Sequence, residues 1–317
     1  MINLSVILPV FNEEKNIPLL YDRLKKVIVS LQLSHELIFV NDGSVDETLK
    51  QVKDLAIRDP FVKYIDFSRN FGHQVAVTAG LNFCSGARVV IIDADLQDPP
   101  ELIADMNNRM NDGWNVVYAK RKERRGESFF KKITAKIFYR ILVNVTSIDI
   151  PLDTGDFRMM DRKVVDALNR MHERHKFIRG MVSWIGFKQT FVEYDRDQRY
   201  AGKTGYTFRK MFRFALDGLT GFSNLPLKLA TYVGFLFSAV SFLLILYTLY
   251  AKFISENYIQ GWASIMISIL FIGGIQLICL GLIGEYLIRM DSNIRQRPLY
   301  IINDTNLIDV NGSNPAH

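Results

Sequence analysis

Cysteine is almost missing from this sequence: Cys84 and Cys279 are the only two in 317 residues, far apart and in unlike surroundings. That excludes a disulfide-built scaffold and makes a reducing compartment the default. No Cys/His spacing of the zinc-binding kind occurs. The glycine fingerprint of a dinucleotide site is missing from the first strand-to-helix turn, where Pro9-Val10-Phe11-Asn12-Glu13 stands instead. Gly202-Lys203-Thr204 mimics the end of a phosphate-binding loop, but Asp197 occupies the place of its first glycine. There are no internal repeats. Residues 1–10 lack a basic n-region and read as a strand rather than a cleavable signal. Charge of one sign is scarce as well: 39 basic against 33 acidic residues leave +6. The window 119–140 alone holds nine Lys or Arg against two acids, more than the whole surplus. The basicity is therefore a patch. Its cations lie beside a lipid-facing apolar stripe rather than an aromatic, solvent-facing groove, so no nucleic-acid partner is expected.

What the sequence has in abundance is long apolar runs. Residues 229–251 and 257–284 contain no charge, 23 and 28 residues respectively. Each exceeds the roughly 20 residues a helix needs to cross a bilayer. Only five residues separate them, so a two-helix membrane hairpin over 229–288 is expected, against the alternative of two buried core helices. Arg209, Lys210, Arg213 and Lys228 precede it and Arg289, Arg295 and Arg297 follow, whereas the connection carries only Lys252. The positive-inside rule then predicts an inner-membrane, multi-pass protein with residues 1–228, the tail 289–317 and both termini in the cytoplasm. Gly273, Gly274, Gly281 and Gly284 leave room for close helix contact, hence for a homo-oligomer. The polar end, 303–317, reads as frayed.

The first 120 residues alternate short apolar runs with helical stretches. Strands are predicted at 4–10, 36–40, 62–67, 87–92 and 115–118, and helices at 13–31, 46–57, 73–83 and 100–110. This pattern predicts an α/β fold with a mostly parallel sheet covered on both faces. In such sheets ligands bind beyond the carboxyl ends of the strands. Further on, 128–145 and 206–222 carry apolar stripes at helical spacing with interleaved cations, which suits helices lying in a membrane interface.

Acidic and amide residues gather after the predicted strands. Asp93 and Asp95, two apart at a strand end, would share a face and suit a hard cation such as Mg²⁺ or Mn²⁺. Asp98, before Pro99-Pro100-Glu101, also reads as a helix cap. Asp42 could accept hydrogen bonds from a nucleobase or ribose, or cap the helix that follows.

Three runs together resemble the inverting glycosyltransferases of family 2: Val6-Ile7-Leu8-Pro9-Val10-Phe11-Asn12-Glu13-Glu14, Val40-Asn41-Asp42-Gly43-Ser44, and Asp93-Ala94-Asp95-Leu96-Gln97-Asp98-Pro99-Pro100-Glu101. The run Asp153-Thr154-Gly155-Asp156-Phe157-Arg158 and the membrane hairpin resemble the bacterial polyisoprenyl-phosphate branch, which is similar to dolichyl-phosphate mannose synthase. The resemblance implies a GT-A fold, a nucleotide-sugar donor, a divalent metal and a lipid-phosphate acceptor. By the same resemblance Pro9, Phe11, Glu13, Asp42, Asp93 and Ala94 would hold the nucleotide, and Asp95 and Gln97 the metal. Arg199 and Lys203 would bind the donor diphosphate, and Arg121, Arg125, Ser128 and Lys132 the acceptor phosphate. Asp156 is the candidate base or orienting carboxylate, with pairing to Arg158 or Arg162 as the structural alternative.

The expected activity is transfer of a hexose, glucose above others, from UDP to a polyprenyl phosphate. A processive polysaccharide synthase would need a Gln-x-x-Arg-Trp motif, absent here, and more than two membrane helices. A non-catalytic, membrane-tethered nucleotide-binding protein would tolerate loss of Asp95.

Overall fold

The computed structural model describes residues 2–122, 154–171, 173, 174, 176–195, 232, 236, 240, 243, 261–295 and 297–307. The strands are β1 (Leu4–Val10), β2 (His35–Asn41), β3 (Val62–Phe67), β4 (Arg88–Ile91), β5 (Val116–Arg121), β6 (Thr154–Asp161), β7 (Gln189–Tyr194) and β8 (Ile302–Thr305). The helices are α1 (Ile17–Leu31), α2 (Thr48–Arg58), α3 (His73–Phe83), α4 (Leu102–Asn111), α5 (Arg162–Asn169), α6 (Ile178–Ile185) and α7 (Trp262–Ile294). The described residues fall into two compact units: the sheet with its helices and residues 297–307, and α7 with the isolated positions 232–243.

The sheet has eight strands in the order β7-β5-β6-β4-β1-β2-β3-β8, in which only β6 and β8 run against the others. β1 and β2 are buried along their whole length, as their unbroken apolar runs predict for central parallel strands. α1 buries Ile17, Leu20, Leu24, Val27 and Ile28, the stripe expected of a helix with one face on a sheet. α3 comes closer than most: a Cβ on Gly80 would sit 2.3 Å from Ile7 Cγ2, so only glycine admits this approach to β1.

β1 to β5 and α1 to α4 lie where the sequence predicts them, with ends shifted by a few residues. Three strands escape that reading. β6 carries Asp156 and Arg158, both buried as a pair, where a polar alternation would have suggested an exposed edge. β7 lies in the mixed stretch beyond it. β8 corrects the expectation of a frayed end: Ile302–Thr305 pairs antiparallel with β3, because Lys53, Tyr64 and Asp66 supply partners for its polar side chains.

In the second unit, α7 is 33 residues long and is the one described helix apolar and long enough to cross a membrane, with its window Phe271–Ile288 wholly unburied. It continues ten residues past the end of the charge-free run at Gly284. The first predicted span lies outside the described residues except at Tyr232, Leu236, Val240 and Leu243, which are helical and exposed. The stretches 128–145 and 206–222 lie outside them altogether.

Candidate active site

The carboxyl ends of β1, β2, β3 and β4 form one rim. β1 ends on buried Pro9 and Val10, after which Phe11 and Asn12 emerge, Phe11 being 45% exposed. Asn12 takes a left-handed φ of 56° and crosses to the neighbouring turn: its N–H donates to Ser44 Oγ at 2.9 Å, and its side-chain oxygen accepts from Val45 N–H at 2.9 Å. Glu13 N–H donates to Thr48 Oγ1 at 2.8 Å. The β1 and β2 turns are thus laced together before any ligand arrives.

Asp42 does not cap α2, whose first turn begins at Thr48. Its buried carboxylate accepts from Phe71 N–H at 2.6 Å and from Gly72 N–H at 3.0 Å, folding the loop after β3 over the end of β2. Burial raises its pKa against the pull of those two donors. Gly43 makes the fold possible. At φ +70°, a Cβ there would lie 2.6 Å from the backbone of Arg69 and Asn70.

β4 ends at Ile91, so Asp93, Ala94 and Asp95 sit in a turn and strand alternation does not place the two carboxylates. The turn is closed instead by Leu96 in the left-handed region, φ 60°, and by Gln97 N–H donating to Asp95 Oδ1 at 3.2 Å. Asp95 and Ala94 are buried, and Gln97 is half-buried. Asp98 is not the cap of α4 either, since Glu101 holds that position. It is buried and accepts from Tyr194 Oη, which in turn accepts from Arg121 Nε at 3.3 Å. Tyr194 thereby ties the end of β7 and Arg121, the end of β5, to the acidic turn.

Because β6 runs antiparallel, its beginning lies beside the end of β4, with Ile91 paired to Arg158. That register delivers Asp156 to the same rim. Asp156 is 6% exposed and engaged at both oxygens. Oδ1 accepts from Arg179 Nε at 2.8 Å. Oδ2 lies 3.2 Å from His73 Nε2 and accepts from Gln74 Nε2 at 3.1 Å. Burial would raise its pKa, but the Arg179 charge and the His73 and Arg179 hydrogen bonds hold it well below the ordinary carboxylate range. Of the two arginines considered as structural partners, Arg158 lies 3.7 Å from Oδ1, whereas Arg162 pairs with Asp166 and the Gly86 carbonyl.

His73 joins the halves of the rim, with Nε2 3.5 Å from Asp93 Oδ1 as well. Desolvation pulls its pKa down, yet the Asp156 hydrogen bond and the Asp93 and Asp156 charges push it up to about 9. Burial, and then Asp156, Asp98 and Asp95, push Asp93 up to about 6 against the attraction of His73. Asp93 Oδ1 is buried without a hydrogen bond. A rim with this much crowded negative charge suits a cation. Among the described residues no three His, Cys, Asp or Glu form a ready-made metal cage. A divalent ion held here would complete its shell from ligand oxygens, as Mg²⁺ characteristically does with phosphates.

His73, Gln74, Arg179 and Tyr194 are the rim residues that sequence reading missed, and Asp98 is one it assigned to a helix cap. His73 and Gln74 opened a predicted helix at 73, directly beyond a strand end, which was the signal available. Arg125, Ser128, Lys132, Arg199 and Lys203 lie outside the described residues.

Residues 5–168 match the glycosyl transferase family 2 profile, and residues 225–290 match that of the GtrB C-terminal hairpin. The chain is 52% identical over 301 residues to the uncharacterized glycosyltransferase YkcC of Bacillus subtilis, covering 95% of this chain and 93% of that protein. It is 39% identical over 299 residues to the prophage bactoprenol glucosyl transferase homolog of Escherichia coli, covering 94% and 98%. To the bactoprenol glucosyl transferase of Shigella phage SfII it is 38% identical over 299 residues, covering 94% and 97%.

Proposed function

This chain belongs to glycosyl transferase family 2 and is a glycosyltransferase, and we propose that it moves glucose from UDP-glucose to a polyprenyl phosphate of the undecaprenyl type at the cytoplasmic face of the membrane. Relatives named bactoprenol glucosyl transferase, matched over nearly their whole length, support that donor sugar and acceptor class. The observation that carries the reading is His73 reaching both Asp93 and Asp156. One imidazole spans the acidic turn proposed for the donor and the carboxylate proposed for the acceptor.

In the proposed reaction a phosphate oxygen of the lipid attacks C1 of glucose. The C1–O bond to UDP breaks, and its electron pair leaves on the diphosphate, so configuration at C1 inverts. The acceptor is a phosphate monoester with a second pKa near ~6 and is already largely dianionic, so it needs positioning more than deprotonation. Asp156 suits that division of labour. With both oxygens engaged and its ionised form favoured, it is a weak proton acceptor, and we assign it an orienting role. Pro9, Phe11, Glu13, Asp42, Asp93 and Ala94 are assigned to the nucleotide. Arg199 and Lys203 are assigned to its diphosphate. Arg121, Arg125, Ser128 and Lys132 are assigned to the acceptor phosphate. Asp95 and Gln97 would hold Mg²⁺ or Mn²⁺, whose charge offsets that of the leaving diphosphate.

The test is to incubate purified protein with polyprenyl phosphate and a panel of labelled nucleotide sugars. Label from UDP-glucose should become organic-extractable. Extraction of a different sugar, or of none, overturns the proposal. Asp95→Asn should remove most turnover, because one ligand fewer weakens the ion that stabilises the leaving group. Full activity in the presence of a chelator would refute the metal's part.

A further inference from the structure

Six residues after the last turn of α7 at Ile294, the chain reaches Tyr300, which is built into the sheet unit. The Tyr300 ring stacks on Phe67 at 5.1 Å and 17°, and its hydroxyl accepts from Asn82 Nδ2 at 3.0 Å. Ile301 carbonyl accepts from Ser68 N–H at 3.0 Å. Two routes run on from there to the turn after β2. By the first, Phe67 meets Phe71 edge to face at 5.6 Å, and Phe71 N–H is the shortest donor to the Asp42 carboxylate. By the second, Asn303 Nδ2 donates to Asp66 Oδ2 at 2.8 Å, Asn41 Nδ2 donates to Asp66 Oδ1 at 2.7 Å, and Asn41 Oδ1 accepts from Ser44 N–H at 3.3 Å. Asn41, Asp42, Asp66 and Phe67 are all buried.

We propose that residues 300–305 form a strap in which Tyr300 and Asn303 are positioning residues for the donor nucleotide, setting the Asp42 turn and the Phe71 loop from behind. This rests on the reading of that turn as the nucleotide site. The physical need is clear. Gly72 holds a φ of +106°, and the loop from Arg69 to Gly72 keeps its place through Asp42 and through the packing of Phe71. A buried carboxylate that loses its N–H donors is costly and relaxes. Loss of the Tyr300 stack removes the wall behind Phe67, and loss of Asn303 removes the donor to Asp66 Oδ2, on the carboxylate whose Oδ1 accepts from Asn41. Tyr300 and Asn303 meet Phe67 and Asp66 at the end of β3, and their described connections to the Asp42 turn run through Phe71 and Asn41. Their effect must pass through Phe71 and Asn41, so it should fall on donor binding and spare the acceptor.

The experiment measures UDP binding by calorimetry, and steady-state kinetics, on the full-length protein in detergent. Tyr300→Ala should raise the Kd for UDP and the KM for the donor roughly tenfold, a loss comparable to one buried hydrogen bond. The KM for lipid phosphate should not move. Tyr300→Phe keeps the stack and should restore the parent values within about twofold. Should Tyr300→Ala fail to fold, Asn303→Asp sets a carboxylate against Asp66 and should produce the same donor-selective defect. Unchanged UDP affinity overturns the proposal, as does an equal rise in both KM values, which would mark general loosening. Asp42→Asn separates the two readings. If it weakens UDP and the Tyr300 variants do not, the nucleotide site stands and the strap falls. If Asp42→Asn leaves UDP affinity unchanged, both fall.

Discussion

Asp156 and His73 set an electrostatic pattern that single-residue reading does not anticipate. His73 is raised to about 9 from an ordinary 6.5, so its pairing stabilises the fold fully below pH 6.5 and is lost as pH rises through 9. Asp156 is depressed, so its contribution is present above the ordinary carboxylate value and is lost only in strong acid, as pH falls through its lowered pKa. In the neutral to mildly alkaline range the change therefore belongs to His73, facing Asp93, Asp156 and Arg179. His73→Gln should lower the Tm at pH 6.5, and the gap from the parent should close by pH 9. A gap constant across that range would show that the ring carries no charge in the fold. Asp156→Asn should lose less turnover than Asp95→Asn and keep UDP affinity. A binding defect as large as its rate defect would place Asp156 in the nucleotide site instead. Gly43→Ala combines a positive φ with a backbone clash, so it should cost about 1–3 kcal/mol in chemical denaturation.

At the scale of elements, two antiparallel strands do what the parallel ones cannot. β6 enters the sheet from the rim side, so its first residues land on the acidic turn rather than at the opposite edge. β8 covers the outer edge of β3, pairing Thr305 with Ile65 and Asp304 with Asp66. An uncovered edge of that length invites pairing between chains. Truncation after Ile301 keeps Tyr300 but removes β8, and should convert a monodisperse preparation into larger species on size-exclusion chromatography. A monodisperse truncated protein would mean that something else protects β3. The strands of the first half were legible because each is a continuous apolar run between turn residues. β6 and β8 were not, since Thr154-Gly155-Asp156-Phe157-Arg158 and Ile302-Asn303-Asp304-Thr305 become strands only once distant partners, His73 and Arg179 for the first and Asp66 and Lys53 for the second, satisfy their polar groups.

At the scale of the whole molecule, the rim proposed for a nucleotide sugar belongs to the same chain as a helix about 50 Å long by rise per residue. The basic window at 119–140 holds the residues proposed for the lipid phosphate. Anionic lipids attract each nearby Lys or Arg by about 1 kcal/mol, whereas a spanning helix needs no such help to stay in the bilayer. Arg125→Ala with Lys132→Ala should therefore leave the protein in the membrane fraction with near-normal UDP affinity, while the KM for lipid phosphate rises and transfer falls. Release from the membrane, or an unchanged lipid KM in detergent, would show that the patch serves attachment or nothing.

The sequence by itself determined the α/β class, the order of the first nine elements, the membrane-length runs and the acidic turns at the strand ends. Each is written locally, in apolar periodicity, in charge-free length, or in the residues next to a strand. Only the tertiary structure decided what those acids do. Asp42 holds the Phe71 loop rather than capping α2, and Asp98 takes the Tyr194 hydroxyl rather than capping α4. Asp156 sits between His73, Gln74 and Arg179, residues 23 to 83 positions away. A carboxylate's role depends on which donors and charges surround it in space, and those come from strands and helices that sequence proximity does not reveal.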